Sequence, residues 1–154
     1  MNKIMTIDGR KISKDILEEI KKEVSMLSFV PVFCDVLVGD DIVSKQYVNL
    51  KRKKAESIGI DFYDASFTST ITTEEVISKI HELNKMENMC GIIVQLPLPG
   101  HLDTRRILDA IDPMLDVDCL GTQASDIFYK GDGGMAFPTA LACMRILEEV
   151  KIDL

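Results

Sequence analysis

"VPVFCDVLVGDDIVSKQYVNLKRKKAESIGIDFYDASF", residues 30–67, decides the fold. Its opening, "VPVFCDVLVG" (30–39), is an apolar strand that ends in glycine. The next stretch, about 43–58, has the spacing of a surface helix, and Gly59 ends it. "IDFYDASF" (60–67) alternates apolar and polar residues and reads as a second strand. Strand, helix and strand in this order imply parallel pairing. Upstream, Ile12, Ile16, Leu17, Ile20, Val24 and Leu27 recur at helical spacing and predict an amphipathic helix over about 11–27. Downstream, "TTEEVISKIHELNKM" (72–86) opens with a capping box, Thr72 with Glu75, and its helix buries Val76, Ile77, Ile80 and Leu83. "CGIIVQL" (90–96) is a continuous apolar run, as in a strand covered on both faces. A short helix over about 104–111, an irregular stretch rich in Asp and Gly, and a last helix at 139–150 complete the chain. The pattern predicts an α/β fold, a three-layer α/β/α arrangement around a mostly parallel sheet.

The 154 residues suit a single domain, 1–154, that buries roughly 70% of its unfolded-chain surface. Apolar residues make up 46% and charged residues 28%, a globular mixture. A net charge of −7 argues against a general nucleic-acid partner. No apolar run approaches the ~20 residues of a membrane span, and the first residues lack the apolar stretch of a secretion signal. The expected location is cytoplasmic. Cys34, Cys90, Cys119 and Cys143 form no C-x-x-C, and His81 and His101 are far apart, so reduced structural thiols and no metal site are expected. There is no internal repeat and no G-x-G-x-x-G; "GDGG" (131–134) reads as a loop turn.

In open α/β sheets ligands bind beyond the carboxyl ends of the strands. That rule selects three segments. The first carries Tyr47 and Lys51, one helical turn apart on the same face. The second is "VQLPLPG" (94–100), whose two prolines fix a rigid turn that presents Gln95 and the carbonyls of Val94 and Leu96. The third is "IDPMLDVDCL" (111–120), with Asp112, Asp116 and Asp118; an extended backbone would point Asp116 and Asp118 to the same side. Tyr47 offers a flat ring for stacking. Lys51 is a candidate proton donor or acceptor, and the like charge of Lys54 one turn on would favour its neutral amine. Gln95 can hold the lysine, and Asp118 can accept hydrogen bonds from an amino-substituted heterocycle. The same aspartates also suit turns, helix caps or weak magnesium ligands.

Together, "IDGRKISKDILEEIKKEV" (7–24), "VGDDIVSKQYVNLKRKKAESIGI" (38–60) and "GIIVQLPLPGHLDTRRILDAIDPMLDVDCL" (91–120) closely resemble the amino-terminal catalytic domain of the methylenetetrahydrofolate dehydrogenase/methenyltetrahydrofolate cyclohydrolase family. The resemblance implies oxidation of 5,10-methylene-tetrahydrofolate with NADP, or NAD in some members. Hydrolysis of the methenyl product to 10-formyl-tetrahydrofolate follows, within the one-carbon metabolism that serves purine biosynthesis. It implies that Lys51 is catalytic in the cyclohydrolase step, that Gln95 tunes it and that Asp118 holds the pterin amino edge. Ser44, Tyr47, Val48, Val94, Leu96 and Pro97 would bind substrate. A homodimer is implied, as is a Rossmann NAD(P) domain beyond residue 154, with 139–150 as the linking helix. On that expectation the 154 residues alone have no hydride-transfer activity and expose apolar surface.

Two departures stand out. Many members read D-V-D-G where this chain has Cys119 after Asp118, and P-C-T-P-x-G where it has "FPTALA" (137–142). Two rival readings remain. One is a non-catalytic folate-binding or interaction module. The other is a short-chain-dehydrogenase-like fragment, which also shows Y-x-x-x-K but needs a glycine-rich turn near its start.

Overall fold

The computed structural model describes residues 6–131 and 136–150. Its elements run α1 (Gly9–Ser25), β1 (Val32–Val38), α2 (Ile42–Ser57), β2 (Asp61–Phe67), α3 (Thr73–Leu83), β3 (Met89–Val94), α4 (Thr104–Asp109), α5 (Thr122–Lys130) and α6 (Pro138–Glu149). The three strands are parallel in the order β2-β1-β3, so β1 is central. Helices flank both faces, as the alternation of strands and helices predicts.

Alternation along β1 separates two kinds of packing. Cys34, Val36 and Val38 point into the main core with Ile92 and Val94 of β3, Val76, Ile80 and Leu83 of α3, and Ile107 and Leu108 of α4. Asp35 and Leu37, at the alternate positions, face α2, whose buried residues are Ser44, Val48 and Ala55. The capping box at Thr72 and Glu75 forms in both directions: Glu75 N donates to Thr72 Oγ1 at 3.3 Å and Thr72 N to Glu75 Oε2 at 2.8 Å.

The stretch after α4 corrects the sequence reading. It contains a further helix, α5, where only irregular chain was expected. Ala124, Ile127 and Phe128 have helical spacing, but Gly121 caps the start without a side chain, so no polar signal marks it. Gly131 closes it at φ 71°, a left-handed stop that glycine adopts freely. Only this first residue of "GDGG" lies within the described residues. Before α5, the chain runs alongside β3: Ile92 N donates to Leu115 O at 2.8 Å, and Ile92 bridges Asp116 in parallel fashion. The close approach depends on Gly91, where an added Cβ would stand 2.6 Å from Val117 Cγ1.

Candidate functional site

β1, β3 and α2 bring the main candidates together. Asp41 caps α2 by accepting from Ser44 N at 2.7 Å, which fixes the first turn beyond the carboxyl end of β1. Lys51, two turns along, reaches across to β3 and donates from Nζ to Gln95 Oε1 at 3.0 Å. Gln95 is held on two sides: its backbone N donates to Val36 O at 2.9 Å, and its Nε2 donates to Leu96 O at 2.9 Å. With Nε2 so engaged, Oε1 is the atom that faces the lysine. The Leu96–Pro97 peptide is cis.

One member of the site escaped the sequence reading. Asp35 is fully buried in β1, and the Lys51 ammonium lies against its Oδ2 as an ion pair. That ammonium is the partner of Asp35, and no second donor reaches either carboxylate oxygen among the described residues. Its signal in the sequence was present: a carboxylate inside "VFCDVLV", an otherwise apolar strand, is a buried charge that must find a partner. The charge that contacts Lys51 is the opposite charge of Asp35, and Lys54, one turn on, is exposed.

Burial pushes the Asp35 carboxyl above its ordinary range, and contact with the Lys51 ammonium opposes this. Burial likewise raises Asp118, again opposed by Lys51, while Asp116 adds to the rise. Lys51 thus contacts one carboxyl that resists ionisation, Asp35, and acts through its charge on a second, Asp118. Cys34 is pushed up to about 12, first by burial and then by Asp35. Burial also raises Cys119. Neither thiol is a nucleophile in this setting.

The remaining candidates fall into place around this centre. Tyr47 is 60% exposed, one turn before Lys51, with its ring open to solvent. Val48, Val94 and Ser44 are buried and shape the site from beneath. Leu96 is half-buried and Pro97 exposed at the turn after β3. Asp116 and Asp118 do not act as a pair on one extended side. Asp116 is buried and accepts from Gly121 N at 2.7 Å, and Asp112 accepts from Met114 N at 2.9 Å, so both serve turns. Asp118 alone of the three is half-buried beside Lys51. Cys119 follows it at φ 55°, a left-handed conformation that explains why glycine suits this position. No cluster of three or more potential metal ligands occurs among the described residues.

Residues 7–118 match the family described as tetrahydrofolate dehydrogenase/cyclohydrolase, catalytic domain. The chain belongs to that family. A curated relative, bifunctional protein FolD of Nautilia profundicola, is 40% identical over 154 residues, covering 97% of this chain and 54% of its own length. Among solved structures, the Campylobacter jejuni bifunctional FolD methylenetetrahydrofolate dehydrogenase/cyclohydrolase superposes with a TM-score of 0.90 at 32% identity, covering 95% of this chain and 53% of that one. A Trypanosoma brucei methylenetetrahydrofolate dehydrogenase-cyclohydrolase, complexed with NADP and an inhibitor, gives 0.91 at 30% identity and covers 99% of this chain and 54% of that one. The chain therefore spans about half the length of the tetrahydrofolate dehydrogenase/cyclohydrolase relatives it matches.

Proposed function

We propose that this chain binds a one-carbon tetrahydrofolate and that Lys51 carries the proton in hydrolysis of the 5,10-methenyl form to 10-formyl-tetrahydrofolate. The observation that carries the reading is the hydrogen bond of Lys51 Nζ to Gln95 Oε1, made beyond the strand ends with Tyr47 one turn away on the same helix. Tyr47 offers its open face to the ring system, and Asp118 accepts from the amino edge of the pterin. Water adds to the electrophilic methenyl carbon and passes one proton to the Lys51 amine. The bond from that carbon to N5 then breaks, the hydroxyl proton passes to N5, and the formyl group stays on N10. The proton taken by Lys51 returns to solvent.

In the same reading the whole protein also oxidises the 5,10-methylene form with NADP, which supplies the hydride acceptor. Among the described residues, none offers that cofactor a phosphate cradle. Gly121, which opens α5, already gives its amide to the Asp116 carboxylate, and no G-x-G-x-x-G is present. No step is therefore routed through the nicotinamide on this chain, and α6 is read as the helix leading towards a further domain. A cytoplasmic homodimer that contributes formyl groups to purine biosynthesis completes the proposal.

Lys51→Met tests it. In the full-length protein, methenyl hydrolysis should fall by at least about 100-fold, the scale of a lost acid–base group, with binding of a folate analogue within a few-fold of wild type. Unchanged turnover would leave a folate-binding module without this chemistry.

A further inference from the structure

A charged carboxylate with no exposed surface is costly in the middle of a parallel strand unless it is paired. Asp35 is such a group. It sits at the centre of β1 with the Lys51 ammonium against Oδ2 and no second donor among the described residues. Its countercharge is Lys51, whose side chain keeps 25% of its surface exposed and whose other contact is Gln95. The charged or polar groups facing Asp35 are few. Lys51 comes from α2, Asp64 from the paired position on β2, Asp118 from the segment beside β3, and uncharged Gln95 from the end of β3. Lys51 is the single cation in that set, and Asp64 is itself paired with Arg52.

We propose that Asp35 is a positioning residue for Lys51: from beneath, its carboxylate fixes the amine against Gln95 and sets the pH range over which that amine exchanges protons with bound substrate. The inference rests on the catalytic reading of Lys51 and adds a member to that site. When substrate covers the lysine, water leaves both partners. One proton can then move from the ammonium Nζ to Asp35 Oδ2, which leaves a neutral amine to receive a proton from water and a neutral carboxyl beneath it. Burial, which already disfavours the ionised carboxyl, works in the same direction.

The test uses the full-length protein with Asp35→Asn, which keeps the shape and removes the charge, and Asp35→Val, which suits an apolar strand. With Asp35 removed, the half-buried Asp118 is the one carboxyl of that set left to favour the ammonium. The lower limb of the hydrolysis pH profile should then move down by roughly one to three pH units, the usual effect of losing an adjacent opposite charge. At its own optimum, each variant should lose about tenfold or more in kcat, because the lysine is no longer held in place. KM for the methenyl substrate should stay within a few-fold.

A readout independent of turnover is the NMR resonance of the Lys51 methylene beside the amine, followed against pH in wild type and Asp35→Asn. A different titration range in the two proteins supports the proposal. An unchanged range, or folded variants that keep the wild-type pH profile while Lys51→Met abolishes hydrolysis, overturns it. Unchanged hydrolysis in Lys51→Met sinks the catalytic reading instead, and the resonance still decides whether Asp35 governs the amine.

Discussion

At the scale of single residues, the site is a compromise between folding and chemistry. Asp35 has a folded-state pKa raised above its unfolded value, mainly by burial. Below the unfolded value the carboxyl is protonated in both states and no charge is buried. As pH rises through the folded value the unfolded chain ionises more easily, and stability is lost. Asp35→Val should therefore raise the melting temperature at neutral pH, and the gain should fade in acid; thermal melts across pH would show it. A lower melting temperature at neutral pH would mean that the ion pair stabilises the fold. Cys119 makes the opposite point about backbone. At φ 55° and almost fully buried, it tolerates a conformation in which a β-branched side chain would clash. Cys119→Val should cost about 1–3 kcal/mol in urea unfolding, whereas Cys119→Gly should sit within about 1 kcal/mol of wild type, since relief of the backbone offsets lost burial and added chain entropy.

At the scale of elements, α2 is the functional helix because its two faces do different work. One face buries Val48 and Ala55 against the sheet, and the other carries Tyr47 towards solvent. This element and its two principal side chains were legible in the sequence, since the strand-end rule and the i, i+4 spacing both pointed there. Asp35 was not legible as a partner: which face of β1 it occupies depends on the sheet's register, and its pairing with Lys51 is a contact between elements. α5 was missed because glycine supplies its cap and polar residues fill its outer face. The capping box of α3 was legible because its signal is wholly local. Thr72→Ala should destabilise by about 1 kcal/mol, measurable by denaturation; a change below a few tenths would show that tertiary packing alone holds that helix start.

At the scale of the whole molecule, burial is uneven. The sheet, α3 and α4 share the main core and α2 buries Val48 and Ala55 apart from it, whereas α1 and α6 contain no buried residue. Ile12, Ile16 and Leu17 of α1 face Ala142 and Ile146 of α6 across an apolar groove. Met26, Leu27, Phe29 and Val30 stay open beyond the end of α1. These 154 residues, tested by themselves, should bind a hydrophobic dye, and that binding should fall in the full-length protein. Equal fluorescence from both would remove the idea that other chain covers these faces. The apolar periodicity of α1 was read correctly as a helix, but periodicity reports a face that avoids water and says nothing of what covers it.

The contact at Gly91 has a consequence for how such a pocket can vary. Its missing side chain lets Val117 close on β3, and the hydrogen bond from Ile92 to Leu115 then indexes the segment that ends in Asp118. The place of Asp118 across the site is therefore a dimension of the sheet, set at a residue outside the proposed contacts. A methyl group added at Gly91 would widen that dimension without altering a single binding side chain. Substrate preference could then drift through the scaffold while every group that touches the substrate stays the same.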